Sequence, residues 1–379
     1  MAIHDRPELS HLRVVVVDEL ANPLADRRWG YWSQRPIAGL SDDSMWSTLI
    51  LRDDERSVRV QLPPGGPRYR RLHGRTVERE LAKALHAPDT SAAALTRVRG
   101  HVTGISDVGT DAVVTLADGS RITAALVLDS AIGLLPVADG PHLSFVGGVV
   151  ALSPQADIHT GAVTLMDFRV PQRHGLRFVY ILPLGEGGAF VEMTSFVGSG
   201  VDIDPGDEER ELRAWAIRVG AQSDEFPITE RGQYPLRLKG SRWRSRRVLA
   251  IGRRSGLARP STGYAATAIA AEAKTLAEDL ATSGWPAPMP PWSRRDAWMD
   301  AVVLELLQRS PAQLRRAYLR MFERVPPDAA LRFLSGHAPW ADAWAVVRSM
   351  PLLPFALAGS RIIVHSWTPL SSRATARKR

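Results

Sequence analysis

Glu192 stands in the run Phe190-Val191-Glu192-Met193-Thr194, where a single carboxyl interrupts apolar, β-favouring residues. Side chains alternate between faces along a strand, so Thr194 shares a face with Glu192. A carboxyl among apolar groups is held neutral by the cost of burying its charge, which makes it a candidate proton donor. The alternative is a solvent-facing strand carboxylate. Asp167 and Arg169 lie two apart on another β-rich run and share a face in the same way. They read either as a surface ion pair or as a pair that positions Glu192 or a bound cofactor. A third group is the loop Gly252 to Tyr264, with Gly256, Pro260, Thr262 and Gly263 inside it, running into an alanine-rich segment. Gly263 and the first helical turn offer N–H groups and the positive end of a helix dipole to an anion. The plainer reading is an ordinary strand-to-helix connection.

Composition removes several other chemistries. The 379 residues include no cysteine, which excludes disulfides, thiolate nucleophiles and cysteine-ligated metals. The 10 histidines include no H-E-x-x-H and no i, i+4 pair, so no metal site is expected. No G-x-S-x-G elbow occurs. The net charge of +8 is carried almost wholly by arginine, since lysine occurs only at Lys83, Lys239, Lys274 and Lys378. This reads either as a general arginine bias or as attraction to an anionic membrane surface. With no nucleic-acid motif beside the charge, nucleic acid is not an expected partner. No apolar run reaches the ~18–20 residues of a membrane span, and the opening Met1–Asp5 lacks the order of a signal peptide. The expected setting is cytoplasmic, with peripheral attachment to a membrane.

The elements that must position these residues are legible in outline. Leu12 to Val17 is a buried strand ending at Asp18-Glu19, and Val77 to His86 has helical spacing. Ala112–Leu116 and Ser120–Leu128 form a hairpin about Asp118-Gly119, the second arm continuing into Val127-Leu128-Asp129. Strands follow at Phe145–Leu152, Ala162–Phe168, Arg177–Leu182 and Ala189–Phe196, then a helix over Glu208–Val219. Arg247–Ile251 is a further strand, Tyr264–Thr282 a helix, and Trp292 to Phe355 is helical with breaks at Pro326-Pro327 and Pro351. Ser371–Arg379 is a polar, basic tail.

Met166-Asp167-Phe168-Arg169, Phe178-Val179-Tyr180-Ile181-Leu182-Pro183 and the run around Glu192 occur in order with strand-and-turn spacing. They resemble the M-D-[FWY]-R and acidic motifs of the FAD-dependent lycopene cyclase family. Arg27-Arg28-Trp29-Gly30-Tyr31-Trp32 is similar to the family's R-T-W-x-x-W, and Val127-Leu128-Asp129-Ser130 to its V-x-D-[SA]. Gly252 to Tyr264 resembles its late G-x-x-x-G and P-[AS]-[ST]-G-Y, and Met350 to Phe355 its helical end. The resemblance covers about residues 12 to 356.

It implies an α/β, Rossmann-like flavoprotein fold with an inserted, mainly antiparallel β-sheet substrate region and a C-terminal helical segment. Residues 1–140 would be an incomplete FAD-binding part, 141–246 the β-rich catalytic region, 247–285 a returning FAD-binding strand, loop and helix, and 286–379 helical with a basic tail. The implied reaction is a redox-neutral, acid-initiated ring closure on lycopene or a related acyclic isoprenoid. It would use reduced FAD, with NADPH or another donor as reductant. Glu192, Asp167 and Arg169 would be catalytic, and Trp29, Trp32, Phe168, Tyr180 and Thr194 would line the substrate pocket. Asp18 or Glu19 would hold the adenosine ribose, while Gly252, Gly256, Pro260, Thr262, Gly263 and Tyr264 would hold the rest of the flavin.

Two departures qualify this. Many bacterial members carry Trp-Glu where this chain has Gly148-Val149, which leaves Glu192 to act alone or with Asp167 and lets Gly148 widen the pocket. The G-x-G-x-x-G turn that opens a Rossmann flavin site is not found, and Pro7–Ser10 reads as the end of a first helix, so the first βα unit is expected to be absent. A flavin monooxygenase or reductase of the same superfamily, and a non-catalytic isoprenoid-binding relative without FAD, are the competing readings.

Overall fold

Four consecutive valines make β1 (Arg13–Asp18), which pairs in parallel with β7 (Ala94–Arg99). Between them the chain forms β2 (Arg28–Ser33), β3 (Ser44–Trp46), β4 (Thr48–Arg52), β5 (Ser57–Gln61), β6 (Arg68–His73) and helix α1 (Gly74–His86). The hairpin segment gives β8 (Val102–Val108), β9 (Asp111–Leu116) and β10 (Arg121–Ala124). Its second arm does not continue as one strand. It breaks at Ala125-Leu126, and β11 (Val127–Asp129) joins a different sheet. This computed structural model describes residues 2–19, 27–41, 44–86, 93–131, 140–185, 187–238, 243–287 and 292–367.

The middle of the chain builds β12 (His142–Ala151), β13 (Val163–Asp167), β14 (Gly175–Gly185), β15 (Gly188–Val197), α2 (Pro205–Arg218) and β16 (Ile228–Pro235). After β17 (Val248–Ala250), parallel to β11, come α3 (Ala266–Ser283), α4 (Arg294–Arg309), α5 (Pro311–Arg324), α6 (Pro327–Leu334), α7 (Trp340–Ser349) and α8 (Leu352–Trp367). The helical region breaks more often than its apolar pattern alone implies. Pro311 and Pro327 each open a helix, and α7 and α8 begin just after Pro339 and Pro351. Proline fits a first turn, where its absent N–H costs nothing, and cannot continue a helix.

The principal sheet has seven strands in the order β16-β12-β15-β14-β13-β4-β5. Two of these, β4 and β5, precede residue 141, so the boundary drawn there from the sequence separates strands that pair side by side. One face carries Val146, Val179, Ile181, Val191 and Met193 and is covered by Leu212, Trp215 and Ala216 of α2. Asp204 caps that helix by accepting from the Gly206 N–H, and Pro205 fixes its first turn. The other face carries Phe178, Tyr180, Leu182, Phe190 and Phe196. It packs against the small β2-β6-β3 sheet and residues of α4, α5 and α6.

Polar groups on the α2 side are paired. Asp167, with no exposed side-chain surface, is held by Arg52 at 3.0 Å and Arg169 at 2.9 Å, and both arginines also reach Asp157. Glu208 of α2 accepts from the hydroxyls of Ser144 and Ser195, and the buried Arg177 donates to Ser195. Asp167→Ala would leave the buried Arg52 guanidinium without its inner partner. The expected loss is about 3–5 kcal/mol of unfolding free energy, measured by urea titration; a loss under about 1 kcal/mol would contradict this account.

Candidate active site

The site is built by register. Glu192 on β15 stands opposite Tyr180 of β14 on one side and Gly147 of β12 on the other, and Gly147 in turn stands opposite Glu230 of β16. Residues directly opposite share a face, so Tyr180, Glu192, Gly147 and Glu230 form one row on the face away from α2. Thr194 follows on that face, and its hydroxyl donates to Glu192 Oε1 at 2.8 Å. Glu230 is 5% exposed, and its Oε1 accepts from the Arg28 backbone N–H at 2.6 Å. Glu192 is largely enclosed and keeps some accessible surface.

Both carboxyls are driven towards their neutral forms. Burial pushes Glu192 up to about 7, against the Thr194 hydrogen bond and the charges of Arg253 and Arg27, with Glu208 beneath the sheet adding to the rise. Burial pushes Glu230 up to about 8, helped by the charge of Glu192 and opposed by the Arg28 N–H and by Arg27 and Arg28. Burial likewise raises the tyrosines Tyr69, Tyr180, Tyr234 and Tyr264, so all keep their protons.

These tyrosines wall the row. Tyr180 donates to Tyr69 at 2.7 Å, Tyr69 and Tyr264 share a hydrogen bond of 2.9 Å, and Trp32 meets Tyr264 edge-on at 4.3 Å. Tyr234, four residues along from Glu230 on the same face, donates to the Gly263 carbonyl at 3.0 Å and lies under the Arg253 guanidinium. Phe145 completes the wall against Tyr234. Glycine is what lets backbone come this close. A β-carbon on Gly30 would fall 2.0 Å from the Tyr180 hydroxyl and 2.2 Å from that of Tyr69.

Several residues read from the sequence lie elsewhere. Asp167 and Arg169 belong to the ion-pair network on the α2 face, opposite in register to Met193's side of β15, and do not reach Glu192. The pair is therefore neither a surface pair nor a positioner of Glu192. Gly148 points to the α2 side as well, where a β-carbon would meet the Pro227 carbonyl at 2.3 Å. Gly147 is the glycine on the Glu192 face, where the tip of the Phe190 ring occupies the space a side chain would take. Trp29 faces the opposite side of β2 from Gly30 and Trp32. Phe168 is fully buried against Phe178, inside the core. Glu230 was not singled out from the sequence, nor were Tyr234 and Gly147. The signal for the first two was present as the every-other-residue series Glu230, Gly232, Tyr234, which lacks the apolar content that marks a strand.

The late loop leads into the uncapped start of α3. Gly252 and Gly256 adopt positive φ, and the Gly252 N–H is held by Glu272 at 2.7 Å. No side chain caps α3 and no acid lies in its first turn. Ala266, Thr267 and Ala268 open onto a cleft with Tyr31, Trp32, Tyr264, Trp292 and Leu334. Thr262 and Gly263 are buried and Pro260 half-buried along this path. The ribose end is different. Asp18 is engaged by Arg97 and Arg99, and Glu19 pairs with His101. Among the described residues no group of three or more His, Asp or Glu could hold a metal.

The chain is similar to known proteins along most of its length. Residues 1–359 match the family model described as lycopene cyclase protein. The chain is 28% identical over 199 residues to the lycopene beta-cyclase of Pantoea ananas, covering 50% of this chain and 52% of that protein. The match thus spans about half of that relative's length. It is 23% identical over 377 residues to the lycopene beta-cyclase of Pseudescherichia vulneris, covering 95% and 93%. Among solved structures it resembles a geranylgeranyl bacteriochlorophyll reductase-like protein from Thermoplasma acidophilum, with TM-score 0.58, 12% identity and coverage of 93% and 96%. A flavoprotein/dehydrogenase from Cytophaga hutchinsonii gives TM-score 0.56, 11% identity and 95% coverage of each chain. The fold is a Rossmann-like flavoprotein fold.

The geometry makes Gly30 a sharp test of the tyrosine wall. Gly30→Ala should cost about 1–3 kcal/mol through overpacking and perturb the near-ultraviolet tyrosine signal; thermal unfolding at the wild-type temperature would show that the wall tolerates a methyl group.

Proposed function

The chain belongs to the lycopene cyclase family, and from that premise we propose that it closes a ring at the end of lycopene or a related acyclic isoprenoid by proton transfer, with no net oxidation. Glu192 is the observation that carries this. It is a carboxyl raised to about 7 by burial, oriented by Thr194, on a sheet face walled by aromatic rings. A neutral acid there can protonate the terminal double bond of a polyene. The cation is then captured by an inner double bond of the same molecule, closing a six-membered ring, and a proton is lost from the carbon beside the new cation. Aromatic faces of Tyr180, Tyr69, Tyr264 and Phe145 attract positive charge, and their packing keeps out the water that would otherwise trap the cation as an alcohol.

The reading requires FAD. When bound and reduced, a flavin supplies negative charge that favours the cation, and NADPH or another donor would keep it reduced. Gly252, Gly256, Pro260, Thr262, Gly263, Tyr264 and the open start of α3 would hold its ring. Asp18 or Glu19 would reach an adenosine ribose only by exchanging part of their present ion pairs.

An apolar substrate favours a membrane surface as its source. Trp340 and Trp344 of α7 are 73% and 62% exposed, and Leu352, Leu353 and Leu357 of α8 are also exposed, with Arg348 and Arg361 beside them. Tryptophan and leucine next to arginine suit the interface of an anionic bilayer. No helix among the described residues is long and apolar enough to cross one.

Expression of the full chain in lycopene-accumulating cells should yield products of unchanged mass with cyclic ends. Oxygenated or hydrogenated products would instead indicate a monooxygenase or reductase, and unconverted lycopene would count against both. Glu192→Gln should abolish conversion while preserving the fold. Wild-type activity should fall as pH rises through about 7, because the donor must be protonated; a rate flat from pH 6 to 9 would remove Glu192 from that role. Trp340→Ser/Trp344→Ser/Leu353→Ser should reduce co-flotation with phosphatidylglycerol-containing vesicles, and undiminished flotation would exclude this face.

A further inference from the structure

Glu230 is a buried carboxyl that the protonation step leaves without a task. It occupies the same register as Glu192, one strand beyond Gly147. Strands lie about 4.8 Å apart, so two spacings separate the two backbones by roughly 10 Å with both side chains on one face. Between them Gly147 contributes no side chain; a β-carbon there would lie 3.2 Å from Glu192 Cβ and 2.8 Å from the Phe190 ring. The strand between the two acids offers Leu143, Phe145, Gly147 and Val149 on this face, none of them ionisable.

We propose that Glu192 and Glu230 act as an acid–base pair across Gly147, with Glu192 delivering the proton that starts ring closure and Glu230 removing the proton that ends it. This rests on the cyclase reading. The Glu192 O–H bond breaks as a C–H bond forms at the terminal alkene carbon. A C–C bond then closes the ring, and the C–H bond beside the resulting cation breaks towards Glu230 as the ring double bond forms. Before the next turnover the proton returns from Glu230 to Glu192, so no oxidant, reductant or other co-reactant is consumed.

The surroundings couple the two groups. Glu192 keeps some accessible surface and accepts from the Thr194 hydroxyl, with Arg253 and Arg27 favouring its ionised form against burial. Glu230 accepts from a backbone N–H, and Arg27 and Arg28 likewise oppose the larger rise that burial gives it. The charge of Glu192 opposes ionisation of Glu230, and that opposition ends when Glu192 is protonated. Two acids that interact through their charges titrate as a coupled pair. The other charged or titratable groups facing the pair are Arg253 from the loop after β17, the tyrosines Tyr180, Tyr234 and Tyr264, and Glu208 on the far side of the sheet.

The test compares Glu230→Gln and Glu230→Asp with the wild-type full chain in cell membranes supplied with lycopene. Glu230→Gln should lower kcat by about 100-fold or more with little change in KM. It should also lose the rising limb of the pH–rate profile while keeping the falling one; Glu230→Asp should recover part of both. A second measurement needs no turnover. Infrared titration of the buried carboxyl band should show Glu230 ionising at lower pH in Glu192→Gln than in the wild type. An active wild type whose Glu230→Gln variant keeps full kcat and both limbs overturns the pair alone, as does a Glu230 titration unmoved by Glu192→Gln. A wild type that forms no ring overturns the cyclase reading and the assigned roles together, even where infrared finds the two carboxyls coupled.

Discussion

Burying two carboxyls on one face of a sheet is the constraint around which the rest of this molecule is arranged. An ionised carboxylate away from water is costly, and a neutral one still needs its polar atoms paired. The fold meets the second demand sparingly, with one hydroxyl for Glu192 and one backbone N–H for Glu230. More donors would have lowered both groups into the ordinary carboxylate range and left them ionised. The arginines Arg27, Arg28 and Arg253 act on the pair through their fields, which tempers the rise without reversing it.

Holding such a pair in place requires a sheet whose register cannot slip, because a shift of one residue would send both carboxyls to the α2 side. The α2 side resists that. Its valines and isoleucine pack on Trp215 and Leu212, and Glu208 joins β12 to β15 through Ser144 and Ser195. Asp167, read from the sequence as part of the reacting group, belongs to this anchoring side. With Arg52 it ties β13 to β4, one from the middle and one from the first part of the chain. A motif with acid and base two residues apart can thus sit beside a catalytic strand and serve the opposite face.

The regular strands from Phe145 to Phe196 were legible because their apolar, β-branched content is continuous, and Glu192 stood out against it. β16 was not, since Ile228-Thr229-Glu230-Arg231-Gly232-Gln233-Tyr234 has little apolar content to signal a strand. Its pocket-facing residues are Glu230, Gly232 and Tyr234, selected for chemistry and space rather than for packing. The same applies to Gly147-Gly148, where the sequence suggested that Gly148 widens the pocket, whereas Gly147 is the one on the carboxyl face. That depends on register, fixed by pairing with strands distant in sequence. The short strand β3 and the proline-led starts of α5 and α7 are set by tertiary contacts and chain punctuation, which a periodicity reading weighs lightly.

Four glycines show how space and chemistry are coupled here. Gly30 admits the hydroxyls of Tyr180 and Tyr69, Gly147 admits the tip of the Phe190 ring beside Glu192, Gly232 admits the Phe145 ring, and Gly263 receives Tyr234 at its carbonyl. Each lies where an aromatic ring or an acid meets backbone, so the pocket is shaped by removed side chains as much as by those present. Gly263 also adopts φ +72°, so its turn brings the late loop onto Tyr234 in a conformation that side chains disfavour. The loop that would carry a cofactor ring and the strand that carries Glu230 therefore meet at one tyrosine. Displacement of that loop would be felt at Tyr234 directly, four residues from the carboxyl on the same strand face, which gives cofactor binding a physical route to the acid–base row.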